Sequence, residues 1–198
     1  MVAYSGKIKQ SFERRKIMFF IPGFLITIVT FPGVIVHELA HQIFCRICRV
    51  AVFDVCYFKL GNPAGYVVHE HPKNAYSQIL IGIGPFFVNT IIGALIALPA
   101  AIPILNFGVD FGPETLGNYF LIWAGVSIAM HSFPSTGDAR SMWSTIKSKE
   151  TNLLAKVIGT PIVLLIYLGA AGSIVWLDFF YGIAVVTFIP DIIIKLLA

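Results

Sequence analysis

The chain has 198 residues, of which 57% are hydrophobic and only 12% are charged. Soluble domains contain about 45–50% apolar and about 25% charged residues, so this composition excludes an ordinary soluble domain. The net charge of +4 does not indicate nucleic-acid binding, because the 14 Lys and Arg residues lie between apolar runs, as in membrane proteins. We therefore expect one helical domain, residues 1–198, embedded in a lipid bilayer.

The apolar runs predict an all-α polytopic membrane protein with about six transmembrane helices, because a crossing needs about 20 apolar residues. Phe31-Pro32-Gly33 should break the first run, since Pro removes a backbone donor and biases its predecessor away from helix. Residues 51–69 are rich in Val, Phe and Tyr around the turn signal Gly61-Asn62-Pro63 and predict a short β-hairpin or re-entrant segment. The predicted helices are 17–30, 33–48, 79–105, 116–133 and the C-terminal pair 153–177 and 179–197.

The positive charges predict the orientation of these helices. Residues 1–16 carry five Lys or Arg against one acid, and residues 135–152 carry three, so both segments are expected in the cytoplasm. The loop that contains Asp110 and Glu114 has no basic residue and is expected on the opposite side. The last two helices are expected to cross the membrane as an antiparallel pair joined near Asp178, so we expect both termini in the cytoplasm and Asp178 in an outer loop.

The segment His37-Glu38-Leu39-Ala40-His41 matches the pattern H-E-x-x-H. On a helix this spacing places two imidazoles on one face, where both can bind one Zn²⁺, with Glu38 beside them as general base. On a soluble helix a chance match would be a serious rival, but ionisable residues at membrane depth are costly and mark functional sites by default. No Lys or Arg between Val34 and Phe44 can pair with Glu38, so a metal site is the simpler explanation.

A catalytic zinc requires a third protein ligand and an open coordination position. Asp138 is the best candidate, because it follows the fourth predicted helix on the inner side and can meet the histidines at their depth. His131, which is intramembrane, and His69, at the end of the predicted hairpin, are the alternatives. Cys45 and Cys48 form a Cys-x-x-Cys pattern without a second pair, so we expect them to be small core residues.

The order of these motifs resembles the site-2 protease family of intramembrane zinc metalloproteases. That family combines H-E-x-x-H, a Gly-Tyr-Val-like strand segment, a span opening with Gly-Pro and an Asn, and an Asp that follows a Pro. The matching segments lie within residues 33–142: His37 to His41, Gly65-Tyr66-Val67, Gly84-Pro85 to Asn89, and Pro134 to Asp138. His131 stands where the family usually has Asn, and Ala139 replaces a Gly, so the chain resembles a divergent member.

The resemblance implies a zinc-dependent endopeptidase that hydrolyses peptide bonds of transmembrane proteins near the cytosolic face. It implies that His37, His41 and Asp138 bind the metal and that Glu38 is catalytic. Asn89 and His131 would hold the substrate strand or the oxyanion, although interhelical hydrogen bonding is an equal alternative for Asn89. We expect any regulation to come from a membrane partner or from the spans themselves.

Two other functions use the same residues. A metal-binding membrane protein without protease activity, such as an ion transporter or sensor, could use the same three metal ligands. Glu38 separates that function from catalysis, because a transport site has no need of a base that does not bind the metal. A metal-dependent hydrolase that acts on lipid would share all of the chemistry, and no sequence feature excludes it.

Overall fold

The computed structural model describes residues 23–107 and 113–197, so the predicted basic segment 1–16 and the loop residue Asp110 lie outside the described residues. In these described residues, seven α-helices and one two-stranded antiparallel sheet confirm the prediction of a mainly helical chain with a β-hairpin. The helices are α1 (Gly23–Val29), α2 (Phe31–Ile47), α3 (Ala75–Phe107), α4 (Pro113–Met130), α5 (Thr136–Lys147), α6 (Leu153–Gly172) and α7 (Leu177–Leu197); the strands are β1 (Val52–Cys56) and β2 (Tyr66–His69).

Three segments of the described chain are long and apolar enough to cross a membrane, namely Ala75–Ala101, Leu153–Val175 and Leu177–Leu196. α1 and α2 together would make a fourth, but they meet at an angle of 84°. Large apolar side chains such as Leu165 and Phe188 are more than half exposed, as expected for surfaces that contact lipid. The chain is thus suited to a membrane, but the predicted six crossings are not confirmed.

A break in the first apolar run is confirmed, but it lies at Thr30, between α1 and α2, and the predicted Phe31-Pro32-Gly33 forms the first turn of α2. Pro32 lies in the first turn of α2, where backbone N–H groups have no acceptor within the helix. The N–H that proline lacks therefore costs no helical hydrogen bond. Gly33 follows, and a Cβ at this position would collide with the Ser127 carbonyl of α4 and with the ring of His131, the residue after α4. The glycine therefore allows α2 to cross α4 at the contact distance that the site described below requires.

α7 runs in the same direction as α3. Tyr181, in the second turn of α7, shares a hydrogen bond of 2.7 Å with Thr90 of α3. One turn further along each helix, Val185 and Ala94 pack in the same buried cluster. The C-terminal end of α7 therefore lies at the same end of the helical domain as the C-terminal end of α3.

α6 also advances in the direction of α3. Gly159 near its start packs against Ile79 near the start of α3, whereas Gly169 near its end packs against Phe133. The Phe133 ring in turn contacts Phe86, two turns beyond Ile79 on α3. The predicted antiparallel pair of C-terminal helices is therefore wrong, and the predicted cytoplasmic C-terminus, which depended on that reversal, loses its support.

The physical reason is the form of the break between α6 and α7. A single turn of 3₁₀-helix, Ser173–Val175, is followed by Trp176 in the left-handed conformation, with φ of 65°. This connection shifts the helix axis without returning the chain along α6. Hydropathy and the single charge at Asp178 carry no information about that direction.

Candidate metal centre

The two histidines of the H-E-x-x-H segment lie on one face of α2, as predicted. Both side chains are buried, and their rings stand edge to face with centroids 4.9 Å apart. The Nε2 atoms of His37 and His41 point toward each other at a distance of 3.2 Å. The four-residue spacing on a helix brings about this approach.

Each imidazole is anchored through its other nitrogen to a backbone carbonyl of a neighbouring helix. His37 Nδ1 lies 2.7 Å from the His131 carbonyl at the end of α4, and His41 Nδ1 lies 3.0 Å from the Ile81 carbonyl of α3. Because a carbonyl oxygen only accepts, each Nδ1 carries the hydrogen, so the Nε2 of each ring presents a lone pair when the ring is neutral. Two Nε2 atoms 3.2 Å apart are stable neighbours only when a proton or a metal cation lies between their lone pairs.

Asp138, in the first turn of α5, completes this arrangement. Its Oδ1 lies 3.4 Å from His41 Nε2, and its Oδ2 lies 4.0 Å from His37 Nε2. Ligand atoms about 2.0–2.1 Å from a tetrahedral zinc are separated by roughly 3.3 Å, which matches the distances from His41 Nε2 to His37 Nε2 and to Asp138 Oδ1. The carboxylate has to move toward His37 to complete the triangle. In the described part of the chain, these three residues form the group that could hold a metal ion.

Ser135 holds the Asp138 carboxylate in place. The Ser135 backbone N–H and hydroxyl both donate to Asp138 Oδ2, at 2.7 and 2.6 Å, and the Asp138 N–H donates to Ser135 Oγ. This capping box begins α5 and leaves Oδ1 facing His41. Burial alone would raise the pKa of Asp138, but the positive charge of a protonated His41 beside it and the Ser135 hydrogen bond hold it well below its usual range. A metal cation at the same place would favour the ionised carboxylate in the same way.

Glu38 lies beside the three ligands without belonging to their group. Its side chain is 8% exposed and borders the same cavity as the histidines. The backbone of Gly65, directly before β2, backs onto it, since a Cβ at Gly65 would lie 2.6 Å from Glu38 Cγ and 2.9 Å from Oε1. The hairpin thus sets the position of this carboxylate.

The cavity at this centre has a volume of about 560 Å³ and is open to the surroundings. Its walls come from α2, from β2 with the loop before it, from the α4–α5 connection and from the break between α6 and α7. Among the described residues, its lining contains histidines and acids but no Lys or Arg. The only side chains that could neutralise its carboxylates in the described chain are therefore the imidazoles, which favours a bound cation.

Asn89 and His131, the two predicted substrate-binding residues, hold the helices that carry the ligands. Asn89 is fully buried, and its Nδ2 lies within 3.1–3.3 Å of the carbonyls of Gly33, Ile128 and His131. These are the interhelical hydrogen bonds that the sequence left open as the alternative. The His131 ring borders the cavity, where its Nε2 lies 2.9 Å from Thr30 Oγ1, and its carbonyl orients His37.

Two further residues border the cavity. His69, at the end of β2, lines it but does not belong to the three-ligand group, and its Nδ1 lies 2.7 Å from the Glu70 carbonyl. Asp178 also lines it, which corrects the prediction that this residue lies on the opposite side; the direction of α6 brings it here. Ser135 was missed, although the spacing Ser135-x-x-Asp138 after a Pro is a capping signature in the sequence.

Comparison of the chain with family models, with curated proteins and with solved structures found no match. The resemblance to the site-2 protease family therefore rests on the sequence motifs within residues 33–142.

Proposed function

We propose that this chain is a membrane-embedded zinc endopeptidase, a divergent relative of the site-2 proteases, with His37, His41 and Asp138 as zinc ligands and Glu38 as general base. The observation that carries the proposal is the division of roles around one open cavity. Two imidazole lone pairs and a carboxylate converge on one point, while a fourth ionisable group stands beside them without joining them. Three ligands, an open position and a nearby base are the arrangement of catalytic zinc sites.

When bound, zinc supplies Lewis acidity and lowers the pKa of water. The residues of the chain do the rest. A Glu38 carboxylate oxygen takes the proton of the attacking water and returns it to the leaving amine. The anchored Nδ1–H groups of His37 and His41 keep both ligand nitrogens directed at the ion.

The hairpin supports a peptide as the substrate. β2 pairs with β1 along one edge only, and residues 64–67 and 69 line the cavity beside Glu38. The other edge of β2 is therefore available to pair with an unwound segment of a transmembrane substrate, which would place its scissile carbonyl next to the ligands. A transmembrane helix must unwind to enter, because its carbonyls are otherwise occupied within the helix.

The test compares Glu38→Gln with Glu70→Gln, an exposed glutamate at the end of the hairpin. Each purified protein is assayed for zinc per chain and for cleavage of a panel of single-span substrates. We expect about one zinc in wild type and in both variants, with cleavage lost by on the order of 10²–10⁴-fold only in Glu38→Gln. Activity that survives in Glu38→Gln would rule out the assigned base.

The same assay separates the competing functions. Wild-type protein that holds zinc but cleaves no peptide would favour an ion transporter or sensor, and release of fatty acid from the surrounding lipid would favour a lipid hydrolase. Zinc that remains bound when His37 and His41 are both changed to Ala would overturn the site itself. His71→Ala, a change of an exposed histidine outside the site, is the matched control.

A further inference from the structure

The carbonyl that anchors His41 lies in the interior of a helix, where carbonyls are normally occupied. In an α-helix the carbonyl of residue i accepts from the N–H of residue i+4. The Ile81 carbonyl belongs to α3, which runs from Ala75 to Phe107, so its regular donor would be the N–H of residue 85. Residue 85 is proline and has no N–H. The Ile81 carbonyl is therefore free to accept from a neighbouring helix.

His41 uses this free acceptor. Its Nδ1 lies 3.0 Å from the Ile81 oxygen, and its Nε2 faces His37 and Asp138. The other histidine ligand obtains its acceptor in a different way, since the His131 carbonyl lies beyond the last residue of α4. Each imidazole is thus held by a carbonyl that has lost its helical donor, one at a helix end and one four residues before a proline.

We propose that Pro85 is a positioning residue of the metal centre. By withholding the N–H that would occupy the Ile81 carbonyl, and by the crowding of its ring against that carbonyl, it keeps the oxygen available to His41. The hydrogen bond then fixes the Nδ1–H tautomer of His41 and directs Nε2 at the metal. The inference rests on the metal site of the proposed function and not on peptide hydrolysis.

A purely structural role for Pro85 predicts something else. The residue is fully buried, and a proline in a helix also bends it and fills space, so its replacement could loosen the packing of α3 without any specific effect on His41. The two roles differ in what they do to metal affinity. Outer-shell partners of histidine ligands typically change metal affinity by about 10–100-fold, whereas looser packing lowers the stability of the whole domain.

The experiment measures the zinc dissociation constant of purified protein by chelator competition and the thermal stability of the metal-free form. Pro85→Ala is compared with Pro99→Ala, which makes the same change in the same helix at an exposed position. The carbonyl freed by Pro99 is that of Leu95, roughly 21 Å further along α3 at 1.5 Å per residue. We expect zinc affinity to fall about 10–100-fold in Pro85→Ala and to stay within about twofold of wild type in Pro99→Ala.

A third variant isolates the N–H from the ring. Incorporation of the α-hydroxy analogue of alanine at position 85 gives an ester link, which has the alanine side chain but no N–H. We expect it to regain most of the wild-type affinity, with His41 in the Nδ1–H tautomer by ¹⁵N NMR of labelled histidine. If Pro85→Ala fails to fold, the ester variant is sufficient to test the proposal. A zinc affinity at least tenfold lower in the ester variant than in wild type would overturn it.

Two further outcomes would also overturn it: unchanged zinc affinity in Pro85→Ala, or an equal loss in Pro99→Ala. Failure of the proposed function gives a different pattern. Wild-type protein that binds no zinc would remove the metal site, and wild-type protein that binds zinc without cleaving peptides would leave the role of Pro85 intact.

Discussion

Gly65→Ala should separate the general base from the metal ligands. An alanine Cβ at this position would lie 2.6 Å from Glu38 Cγ, whereas ordinary contacts begin at about 3.4 Å, so the Glu38 side chain has to retreat by about 0.8 Å. Glu38 can make this movement, because its side chain is flexible and borders an open cavity. The three atoms nearest to the new methyl group all belong to Glu38, and none belongs to a metal ligand. The expected displacement therefore concerns catalysis alone.

A misplacement of about 1 Å at a reacting group costs on the order of 10²-fold in rate. We therefore expect kcat to fall about 100-fold in Gly65→Ala, with one zinc retained per chain and an unchanged zinc dissociation constant. Gly61→Ala is the matched control, because a Cβ at Gly61 in the same hairpin meets nothing within 4 Å. Full activity in Gly65→Ala, or a loss of zinc together with activity, would refute the position that we assign to Glu38.

Further variants test the remaining parts of the site and the fold. Asp138→Ala should weaken zinc binding by more than the roughly 10–100-fold that is typical of changes to residues that contact a ligand. If this variant keeps its zinc in full, the third ligand is His131 or His69 instead. Ser135→Ala should cost about 1 kcal/mol of stability and about tenfold in zinc affinity, whereas Ser144→Ala on the same helix should leave zinc binding unchanged. Gly33→Ala should cost about 1–3 kcal/mol through overpacking, and Gly117→Ala, whose Cβ meets nothing within 4 Å, almost nothing. In a chain whose natural cysteines are replaced by alanine, Lys195→Cys should react from the same side of the membrane as Gly117→Cys and from the side opposite to Glu150→Cys; labelling of residues 195 and 150 from one side would contradict the parallel course of α7 and α3.

The local features of the site could be predicted from sequence because each depends on spacing along one element. Two histidines four residues apart share a helix face whatever surrounds them. Pro32 favours a helix start and disfavours a helix that runs through it, and the break lies directly before it, at Thr30. The grouping of Asp138 with the histidines was also anticipated, because the end of the fourth predicted helix returns the chain to their depth.

The course of the C-terminal helices could not be predicted in the same way. Hydropathy identifies segments that can lie in a membrane, but it does not distinguish a chain that reverses between two such segments from one that continues. Here a 3₁₀ turn and a left-handed Trp176 carry α6 onward into α7. That choice depends on contacts such as Tyr181 with Thr90, which join residues far apart in the sequence. Asp178 was consequently assigned to the wrong side, although it lines the cavity of the metal centre.

The role of α3 at this centre shows how an apolar helix can serve chemistry without contributing a ligand. A buried imidazole needs an acceptor for its N–H, and an unpaired polar group at this depth costs several kcal/mol. Side-chain acceptors such as Asp or Glu would add a charge that competes for the metal. Backbone carbonyls add none, but in a membrane helix they are all occupied unless the helix ends or a proline intervenes. α4 meets the first condition at His131, and α3 meets the second at Ile81, four residues before Pro85. An apolar helix can therefore orient a metal ligand while its own surface remains compatible with lipid.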